Sequence, residues 1–490
     1  MNQKAIIIGS GFSGLSASTF LAKAGYDVTV LEKHSTPGGR ARQLSENGFH
    51  FDMGPSWYWM PDVFERYFAS FGKNVSDYYS LQRLDPSYRI FWADSSTDIP
   101  SGLNEIKKLF ELWEVGAGSR LDKFITEAAF KYKIGMQKLV YQPGLELSEF
   151  ASSELIKGLV RMDVFTSVTK HIAKYFKHEK IRQLLEFPVL FLGALPENTP
   201  ALYSLMNYAD IEGGTWYPQG GMYSIVKGMH ALAEDLGVKF RFNEEVTGFA
   251  FSNRAIKKVI TASNEYDAAV VISSADYNFV EQQLLPRQYR TYTSSYWMRK
   301  EMAPSCLLYY VGVNKKIANV QHHNLFFDTS FSRHSEEIYK SKMWPDDPLF
   351  YVCVSSKSDH SVAPPGHENL FFLVPVAAGL SGDTDQLREF YFKKILLRFE
   401  EHTGQKISGN IVYKKTFACS DFVNEYHSFR GNAYGLANTL RQTAFLKPKC
   451  KSSRISNLYY TGQLTVPGPG VPPSLISGEV VAKVICSNLK

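Results

Sequence analysis

The chain opens with a hydrophobic pattern that predicts a strand, a helix and a second strand. Residues 5–8 are continuously apolar, as in a strand that is buried on both faces of a parallel sheet. A helix with small residues on one face is predicted from about Leu15, and Gly25 ends it. Residues 27–31 form the next apolar run, and Glu32 stands at its end. This order is typical of a parallel α/β unit.

The rest of the chain also contains both helical and strand-like hydrophobic patterns. Residues 86–214 have a mostly helical pattern, whereas residues 291–424 contain strand-like apolar runs. We find no internal repeat and no low-complexity tract. The predicted elements are helices at 223–236 and from about Ser474, and strands at 238–242, 267–276, 307–311, 370–374 and 457–462.

The turn after the first strand has the glycine spacing of a dinucleotide-binding loop. Gly9 permits a tight turn, Gly11 lets the backbone approach a pyrophosphate, and Gly14 lets the helix pack closely on the strand. The helix N-terminus then directs its free N–H groups at the phosphates. Glu32 can accept hydrogen bonds from a ribose diol and would repel a 2′-phosphate, which disfavours NADP. A dinucleotide-binding site is therefore predicted.

Two motifs downstream distinguish FAD from NAD. Residues 37–41 are Pro-Gly-Gly-Arg-Ala, and residues 49–56 are Phe-His-Phe-Asp-Met-Gly-Pro-Ser. Here the chain resembles the phytoene desaturase and amine oxidase superfamily of FAD enzymes. In that superfamily the Gly-Gly-Arg element carries the chain past the pyrophosphate toward the flavin. The alternative is an ordinary Gly-Gly turn beside a solvated arginine.

The C-terminal end carries a second, more specific resemblance. Residues 457–472 match the FAD motif of carotenoid desaturases, N-L-Y-x-x-G-x-x-x-x-P-G-x-G-[IV]-P. By this resemblance Gly462 approaches the pyrophosphate and ribityl chain, while Val471 and Pro472 approach the isoalloxazine ring. Gln463 departs from many FAD enzymes, which have an acid at this position. Residues 431–444 resemble the segment that precedes the motif in the same family.

The resemblance implies a set of binding residues. FAD should be held without a covalent link, because no cysteine or histidine lies within residues 461–473. The sequence identifies no catalytic acid or base. The aromatic residues that follow the FAD motifs are expected to line the substrate site, although core packing explains them almost as well; this set is Trp57, Trp59, Trp216 and Tyr217, to which we add Gln442. The expected FAD-binding residues are Gly9, Gly11, Phe12, Ser13, Gly14, Glu32, Lys33, Gly38, Gly39, Arg40, Gly54, Pro55, Ser56, Val246, Gly462, Val471 and Pro472.

The predicted fold class is α/β, with a Rossmann-like FAD-binding domain assembled from discontinuous segments. We assign residues 1–85, 215–290 and 425–490 to that domain. Residues 86–214 and 291–424 should form an α+β substrate-binding domain with a mainly helical, membrane-facing part. The resemblance covers most of the chain, with its specific motifs at both ends and near 216–276.

Composition adds a few limits to this picture. Aromatic residues make up 14% of the 490 residues, which indicates either large cores or a cavity for a large flat apolar ligand. The net charge of +6 is too small to distinguish an anionic membrane surface from nucleic acid as a partner. We find no nucleic-acid-binding motif. Five cysteines without C-x-x-C spacing argue against disulfides and a zinc site. We expect no metal, and we interpret His322 and His323 as surface histidines of a loop.

Location is predicted from two further features. There is no room for a signal peptide before the first strand, and no run of about 18 apolar residues spans a bilayer. Residues 154–182 contain seven Lys or Arg against three acids, interleaved with apolar residues. This segment is either a basic amphipathic surface for an anionic bilayer or a solvated helix face. Because the family's substrates live in membranes, we expect a cytoplasmic protein that is peripherally membrane-associated.

The resemblance implies an FAD-dependent carotenoid desaturase of carotenoid biosynthesis. It would introduce C=C bonds into an acyclic carotenoid, of the phytoene type or with a hydroxylated end (3,4-desaturation), by hydride transfer to flavin and proton loss. The electron acceptor could be oxygen or a quinone. A redox-neutral isomerase or an oxidase of the same family stays open, as do an amine oxidase and a non-enzymatic prenyl-binding escort protein.

Overall fold

The computed structural model describes residues 3–146, 149, 166–190, 193, 195–439 and 441–487. Its strands are β1 (Lys4–Ile8), β2 (Asp27–Leu31), β3 (Gln43–Glu46), β4 (Phe49–Asp52), β5 (Leu81–Arg83), β6 (Tyr88–Trp92), β7 (Ser96–Ile99), β8 (Trp216–Pro218), β9 (Lys239–Arg241), β10 (Val246–Ser252), β11 (Ala255–Thr261), β12 (Glu265–Asp267), β13 (Val270–Ser273), β14 (Ser305–Val313), β15 (His323–Phe327), β16 (Phe350–Cys353), β17 (Glu368–Val376), β18 (Ile411–Phe417) and β19 (Leu458–Tyr460).

The helices connect and cover these strands. They are α1 (Phe12–Lys23), α2 (Pro61–Ala69), α3 (Leu103–Trp113), α4 (Ala117–Gln137), α5 (Val168–Ala173), α6 (Glu179–Leu190), α7 (Leu205–Ile211), α8 (Tyr223–Asp235), α9 (Tyr277–Phe279), α10 (Ser294–Met298), α11 (Phe331–Glu336), α12 (Asp385–Thr403), α13 (Cys419–Tyr426) and α14 (Val471–Ser487). Within the part of the chain that the structure describes, no helix combines the length and the apolar character needed to cross a bilayer.

A five-stranded parallel sheet forms one half of the molecule, in the order β19-β13-β1-β2-β9. Strand β1 is buried on both faces, as its apolar run predicts. Ala5 and Ile7 pack with residues of α1 and α14, whereas Ile6 and Ile8 pack toward the small sheet of β10, β11 and β12. Helices α1 and α14 approach closely because Gly478 has no side chain: a Cβ there would lie 2.4 Å from the carbonyl oxygen of Ser13.

A seven-stranded mixed sheet forms the other half, in the order β18-β14-β17-β16-β15-β6-β7. Its strands pair antiparallel except for β15 and β6, which run parallel. Helix α12 covers one face, where Tyr391 and Phe399 pack on residues of the sheet. The opposite face carries Leu308 and Tyr310 into the largest core cluster of the protein. That face looks toward the cavity described below.

The strands follow the predicted segments of the chain. Every strand of the five-stranded sheet comes from residues 1–85, 215–290 or 425–490, and every strand of the seven-stranded sheet from 86–214 or 291–424. The division into two domains at those boundaries stays a prediction. The α/β fold class itself is confirmed.

One element prediction needed correction. The C-terminal helix begins at Val471 rather than near Ser474, because Pro472 and Pro473 fit a first helical turn, where the missing N–H costs nothing. Residues 166–182 of the basic segment contain α5 and the start of α6. The role of this segment at a bilayer stays a prediction. Residues 154–165 lie outside the described part of the chain.

Candidate functional site

A cavity of about 470 Å³ is lined by residues of both large sheets. At one end its wall is built from the β1–α1 turn, the residues after β2 and the start of α14. At the other end it is built from β14–β17 and from helices α6 and α7. The first end carries charged and polar groups, whereas the second is apolar.

The glycine turn places a helix N-terminus in the wall of the cavity. Gly9 adopts a φ of 94°, which a residue with a side chain rarely tolerates. Gly11 is the N-cap of α1, and no side chain caps the free N–H groups of the first turn. A Cβ on Gly11 would meet nothing closer than Ser274 Oγ at 3.9 Å, so the protein leaves open space there. Exposed N–H groups beside open space form a cradle for an anionic group such as a pyrophosphate.

Glu32 is buried in the same wall and keeps spare acceptor capacity. Its Oε2 accepts hydrogen bonds from the Ser10 amide at 2.9 Å and the Ser10 hydroxyl at 2.7 Å, while Oε1 accepts from the His34 amide at 3.0 Å. A carboxylate has about four lone-pair sites, so these three bonds leave it able to accept from a hydroxyl in the cavity. This fits the ribose diol of a dinucleotide.

Arg40 presents a partly buried cation whose buried Nε is an unsatisfied donor among the described residues. Its Nη2 donates to Ser428 Oγ at 2.9 Å and to the Asn432 carbonyl at 3.4 Å. Among the described residues, Arg40 Nε has no hydrogen-bond partner. Burial lowers the pKa of Arg40, and the neighbouring carboxylate of Asp276 opposes that shift. A partly buried cation with a free N–H fits an anionic ligand in the cavity.

The C-terminal segment completes this end of the wall. Gly462 has a φ of 104°, and its amide donates to Ser477 Oγ at 2.9 Å. Val471 and Pro472 begin α14 and lie in the wall. Gln463 also lines the cavity, and its side chain lies 3.1 Å from Asn432 Oδ1. The features at this end together fit a bound dinucleotide.

Sixteen of the seventeen expected FAD-binding residues line the cavity. The exception is Gly14, which supports the turn from behind, since a Cβ there would lie 2.1 Å from the Gly9 carbonyl oxygen. The residues in the wall are Gly9, Gly11, Phe12, Ser13, Glu32, Lys33, Gly38, Gly39, Arg40, Gly54, Pro55, Ser56, Val246, Gly462, Val471 and Pro472. Their roles toward FAD stay predictions.

The far end of the cavity is apolar and aromatic. It is lined by side chains from six elements, among them Phe187, Met206, Leu308, Leu325, Tyr351 and Leu373. Trp57 and Trp59 also lie in the wall, as expected. The Tyr351 hydroxyl donates to Ser56 Oγ at 3.1 Å, so this polar group is satisfied within the wall.

The charged side chains of the wall belong to the dinucleotide end. They form one network of contacts around residues 32–40, 244–245, 276 and 425–428: the Glu244 amide donates to the Glu32 carbonyl, and His427 lies 3.3 Å from Lys33 and 2.6 Å from Glu245. The Asp, Glu, Lys and Arg residues of the described wall are Glu32, Lys33, Arg40, Glu244, Glu245, Asp276 and Glu425. The far end therefore suits an uncharged ligand.

Three residues expected to line the substrate site lie outside the cavity wall. The Gln442 amide bonds to the Glu301 backbone, donating to its carbonyl at 2.8 Å and accepting from its N–H at 3.0 Å. Trp216 and Tyr217 belong to β8, which pairs with β5. The Tyr217 hydroxyl donates to Asp359 at 3.2 Å, away from the main cavity. These bonds satisfy the polar atoms of Gln442 and Tyr217 in a structural role.

The interpretation of the histidine pair was also wrong. His322 and His323 are 4% and 0% exposed, not surface residues of a loop. His323 is the first residue of β15, in the middle of the seven-stranded sheet, and its ring stacks on Trp57 with centroids 4.1 Å apart. Two successive histidines carry no hydrophobic period, so the sequence pattern could not reveal their burial.

Sequence reasoning missed several wall residues that are distant in the chain. Asp276 ends a segment that the pattern predicts as a strand, but nothing in its neighbourhood marks it as part of the site. Tyr426 and His427 end helix α13, and Tyr434 lies in the segment that resembles the carotenoid desaturases. For Tyr434 that resemblance was a usable signal. The others are brought in by tertiary packing alone.

The chain is similar to flavin-dependent enzymes over nearly its whole length. The family model described as flavin containing amine oxidoreductase matches residues 12–486. A carotenoid 3,4-desaturase of Haloarcula japonica is 42% identical over 485 residues, covering 99% of this chain and 98% of that protein. A 4,4′-diapophytoene desaturase (4,4′-diaponeurosporene-forming) of Staphylococcus aureus is 30% identical over 507 residues, covering 99% of both chains.

A solved structure shares the fold. An oxidoreductase from Methanosarcina mazei superposes with a TM-score of 0.62 at 16% identity, covering 98% of this chain and 100% of that one. At this identity the likeness concerns the fold alone.

Proposed function

The chain belongs to the flavin containing amine oxidoreductase family, and from this premise we propose that it is an FAD-dependent carotenoid desaturase acting on an acyclic carotenoid. FAD is the cofactor, and the glycine turn, Glu32 and Arg40 would hold it. The observation that carries the proposal is the contrast between the two ends of the cavity. A dinucleotide end that concentrates all seven charged side chains of the described wall adjoins an end that is apolar.

The apolar end determines what the protein contributes to the reaction. Bound FAD supplies a hydride acceptor. Phe187, Leu325 and Leu373 would pack on a polyene, hold it in one orientation and exclude water from the reacting carbons. The allylic cation left by hydride loss is a strong acid, so its proton can leave to a weak acceptor. This explains why no strong base is needed at this end.

Relatives favour one position of the new double bond. The carotenoid 3,4-desaturase is 42% identical to this chain, and the diapophytoene desaturase is 30% identical. We therefore propose 3,4-desaturation of an acyclic carotenoid end, with a hydroxylated end as the first candidate. Desaturation of a phytoene-type substrate is the second candidate.

The other functions are less well supported by the cavity. An amine oxidase would bind a cationic substrate, yet among the described residues the apolar end offers no carboxylate. An escort protein that binds prenyl groups without FAD would have no use for the buried Glu32 and the partly buried Arg40 in the wall. An isomerase or an oxidase would use the same cavity and is distinguished only by its product.

Product analysis tests the proposal. The chain is co-expressed in turn with pathways that supply phytoene, lycopene and a hydroxylated acyclic carotenoid, and the pigments are identified by mass and absorption spectrum. We expect products two hydrogens lighter, with the double bond at the 3,4 position. Products of unchanged mass would indicate an isomerase, and products with added oxygen would indicate an oxidase. Assays with either oxygen or a quinone withheld identify the electron acceptor.

We also propose that the protein docks on an anionic bilayer to obtain its substrate, since long carotenoids are almost insoluble in water. The docking surface we propose is the end of the helical region, where the α3–α4 turn meets the α5–α6 turn. Glu114 Oε2 joins the two turns by accepting from the amides of Lys177 and His178 at 2.9 and 2.8 Å. Leu112 and Val115 lie beside Glu114 and are 83% and 88% exposed.

This surface combines apolar and basic groups, as membrane docking requires. Lys170, Lys174 and Lys177 are exposed on α5 and the turn after it. The apolar residues between them are not available to a membrane, because Ile172 and Phe176 are 0% and 1% exposed in the core. The proposed docking surface therefore takes its apolar residues from the α3–α4 turn and its charge from the lysines.

A further inference from the structure

Three potential metal ligands lie together behind the wall of the main cavity. His323 and Cys353 are paired residues on the neighbouring strands β15 and β16. His322 precedes β15, and its ring centroid lies 4.4 Å from that of His323. One ligand atom from each of His322, His323 and Cys353 lies within 4.8 Å of the others, and all three side chains are buried.

The hydrogen bonds of the two imidazoles leave the same atom free on each ring. His322 Nδ1 lies 3.0 Å from Ser358 Oγ, and His323 Nδ1 lies 2.6 Å from the Tyr351 hydroxyl. Neither Nε2 atom has a partner among the described residues. Burying an unpaired polar nitrogen is costly, and here it occurs twice at adjacent residues.

Zinc-binding histidines have this arrangement. One ring nitrogen binds the metal, and the other forms a hydrogen bond that fixes the tautomer and the orientation of the ring. With hydrogen on Nδ1, both Nε2 atoms of this pair present lone pairs.

A small second cavity offers room for a fourth ligand and a counter-charge. It measures about 20 Å³ and is lined by His322, Cys353, Ser56 and Asp52. One water molecule needs roughly 10–15 Å³ of such space. The Cys353 thiolate would supply negative charge to a divalent cation, and the Asp52 carboxylate, which accepts hydrogen bonds from the Met222 and Tyr223 amides, lines the same small cavity.

We propose that His322, His323 and Cys353 bind a zinc ion, with a water molecule in the small cavity as the fourth ligand. Two imidazoles and a thiolate are a ligand set that zinc accepts in tetrahedral sites. Binding releases the thiol proton of Cys353 to solvent and forms one Zn–S and two Zn–N bonds. The ion would join β15 to β16 and fix Tyr351, whose hydroxyl reaches the wall of the main cavity. This inference does not rest on the proposed desaturase function.

Metal analysis of the purified protein tests the proposal. The full chain, purified with its FAD and without chelators, is analysed by inductively coupled plasma mass spectrometry. We expect one zinc ion per chain. After a chelator has removed the zinc, addition of equimolar zinc should restore this content. Substitution with cobalt should give the ligand-field bands of a tetrahedral site, at longer wavelength than the flavin absorption.

Variants locate the ion. Cys353→Ser and His322→Gln should each lose zinc affinity by more than tenfold. Ser358→Ala, which removes only the hydrogen bond to His322 Nδ1, should lower it by roughly 10–100-fold, as outer hydrogen bonds typically do. Cys419→Ser changes a buried cysteine elsewhere and should leave zinc content unchanged.

Two results would overturn the proposal. Parent protein that contains no zinc and takes up none at equimolar concentration has no such site, whether or not the variants fold. Zinc content that Cys353→Ser and His322→Gln leave unchanged would show that the ion binds elsewhere. Another metal, detected in the same analysis at one per chain, would contradict the assignment to zinc.

Discussion

Gly11 and Gly14 stand in one turn but lack side chains for different reasons. A Cβ on Gly14 would lie 2.1 Å from the Gly9 carbonyl oxygen, so the fold itself excludes a larger residue. A Cβ on Gly11 would meet only Ser274 Oγ at 3.9 Å, so the fold tolerates one. We propose that a bound pyrophosphate is what excludes a side chain at Gly11. The two positions therefore separate folding from binding at the scale of single residues.

Gly11→Val should abolish FAD binding while the protein stays folded. The branched side chain would fill the space in front of the N-terminus of α1, where the pyrophosphate is expected. Bound FAD is measured by absorbance after gel filtration, and folding by circular dichroism. Gly248→Val is the matched control, because a Cβ there meets nothing within 4 Å. Stoichiometric FAD in Gly11→Val would contradict the assignment of this turn.

Glu32→Ala should weaken FAD binding by roughly 1–3 kcal/mol, the cost of losing charge-assisted hydrogen bonds to the ribose. The melting temperature should fall as well, since Glu32 also accepts bonds from Ser10 and His34. Titration of the apoprotein with FAD measures the affinity. Glu265→Ala, at an exposed position of β12, is the control. An unchanged dissociation constant would mean that the Glu32 carboxylate does not face the ligand.

At the scale of elements, the hydrophobic pattern of a segment identified the strands and helices whose buried faces are formed by residues close together in the chain. The apolar run at β1 and the helix α8 were predicted within a few residues, because burial on fixed faces leaves a period in the sequence. The position of Gln442 and the burial of His322 were not predicted. Polar residues inside a fold are set by partners distant in the chain, such as Glu301 for Gln442.

The same limit applies to the candidate site. The dinucleotide end follows contiguous motifs, and 16 of its 17 expected residues line the cavity. The apolar end is assembled from separate strands and helices, so only Trp57 and Trp59 of its expected residues lie in the wall. Motifs record contacts made by one loop, whereas a cavity between elements depends on how those elements pack.

Asp210 links two such elements. Its Oδ2 accepts from the Tyr88 hydroxyl of β6 at 2.8 Å, and its Oδ1 from Thr215 at 3.3 Å. Burial raises its pKa from 3.8 to about 7. The folded state therefore binds this proton more tightly than the unfolded state, and stability should fall as the pH rises from about 4 to about 7.

Asp210→Asn should remove this loss, because the amide keeps the acceptor oxygen and does not ionise. Between pH 5 and pH 8, the parent should lose roughly 1–4 kcal/mol of unfolding free energy relative to the variant. Urea denaturation at both pH values measures the difference. Asp235→Asn, at an exposed position, should show no such pH dependence. Parallel pH profiles for the parent and Asp210→Asn would contradict the raised pKa.

At the scale of the whole molecule, one cavity joins the two halves of the protein, and under the proposed function its substrate would reach it from a bilayer. The described helices are not built to span that bilayer. The docking surface proposed above lies at the end of the helical region, where Leu112 and Val115 are exposed beside Lys177. The lysines and the exposed apolar residues should contribute separately to the free energy of membrane binding.

Replacing Lys170, Lys174 and Lys177 together by Gln should reduce binding to anionic liposomes by more than about tenfold at low salt, since each lysine near the surface contributes on the order of 1 kcal/mol. Leu112→Ser with Val115→Ser should reduce binding at high salt as well, because apolar contact is not screened. FAD content and melting temperature should change little, since these side chains are exposed. Cosedimentation with liposomes measures binding, and Lys257→Gln on β11 is a control at an exposed lysine elsewhere. If both variants sediment as the parent does, the protein docks through another surface.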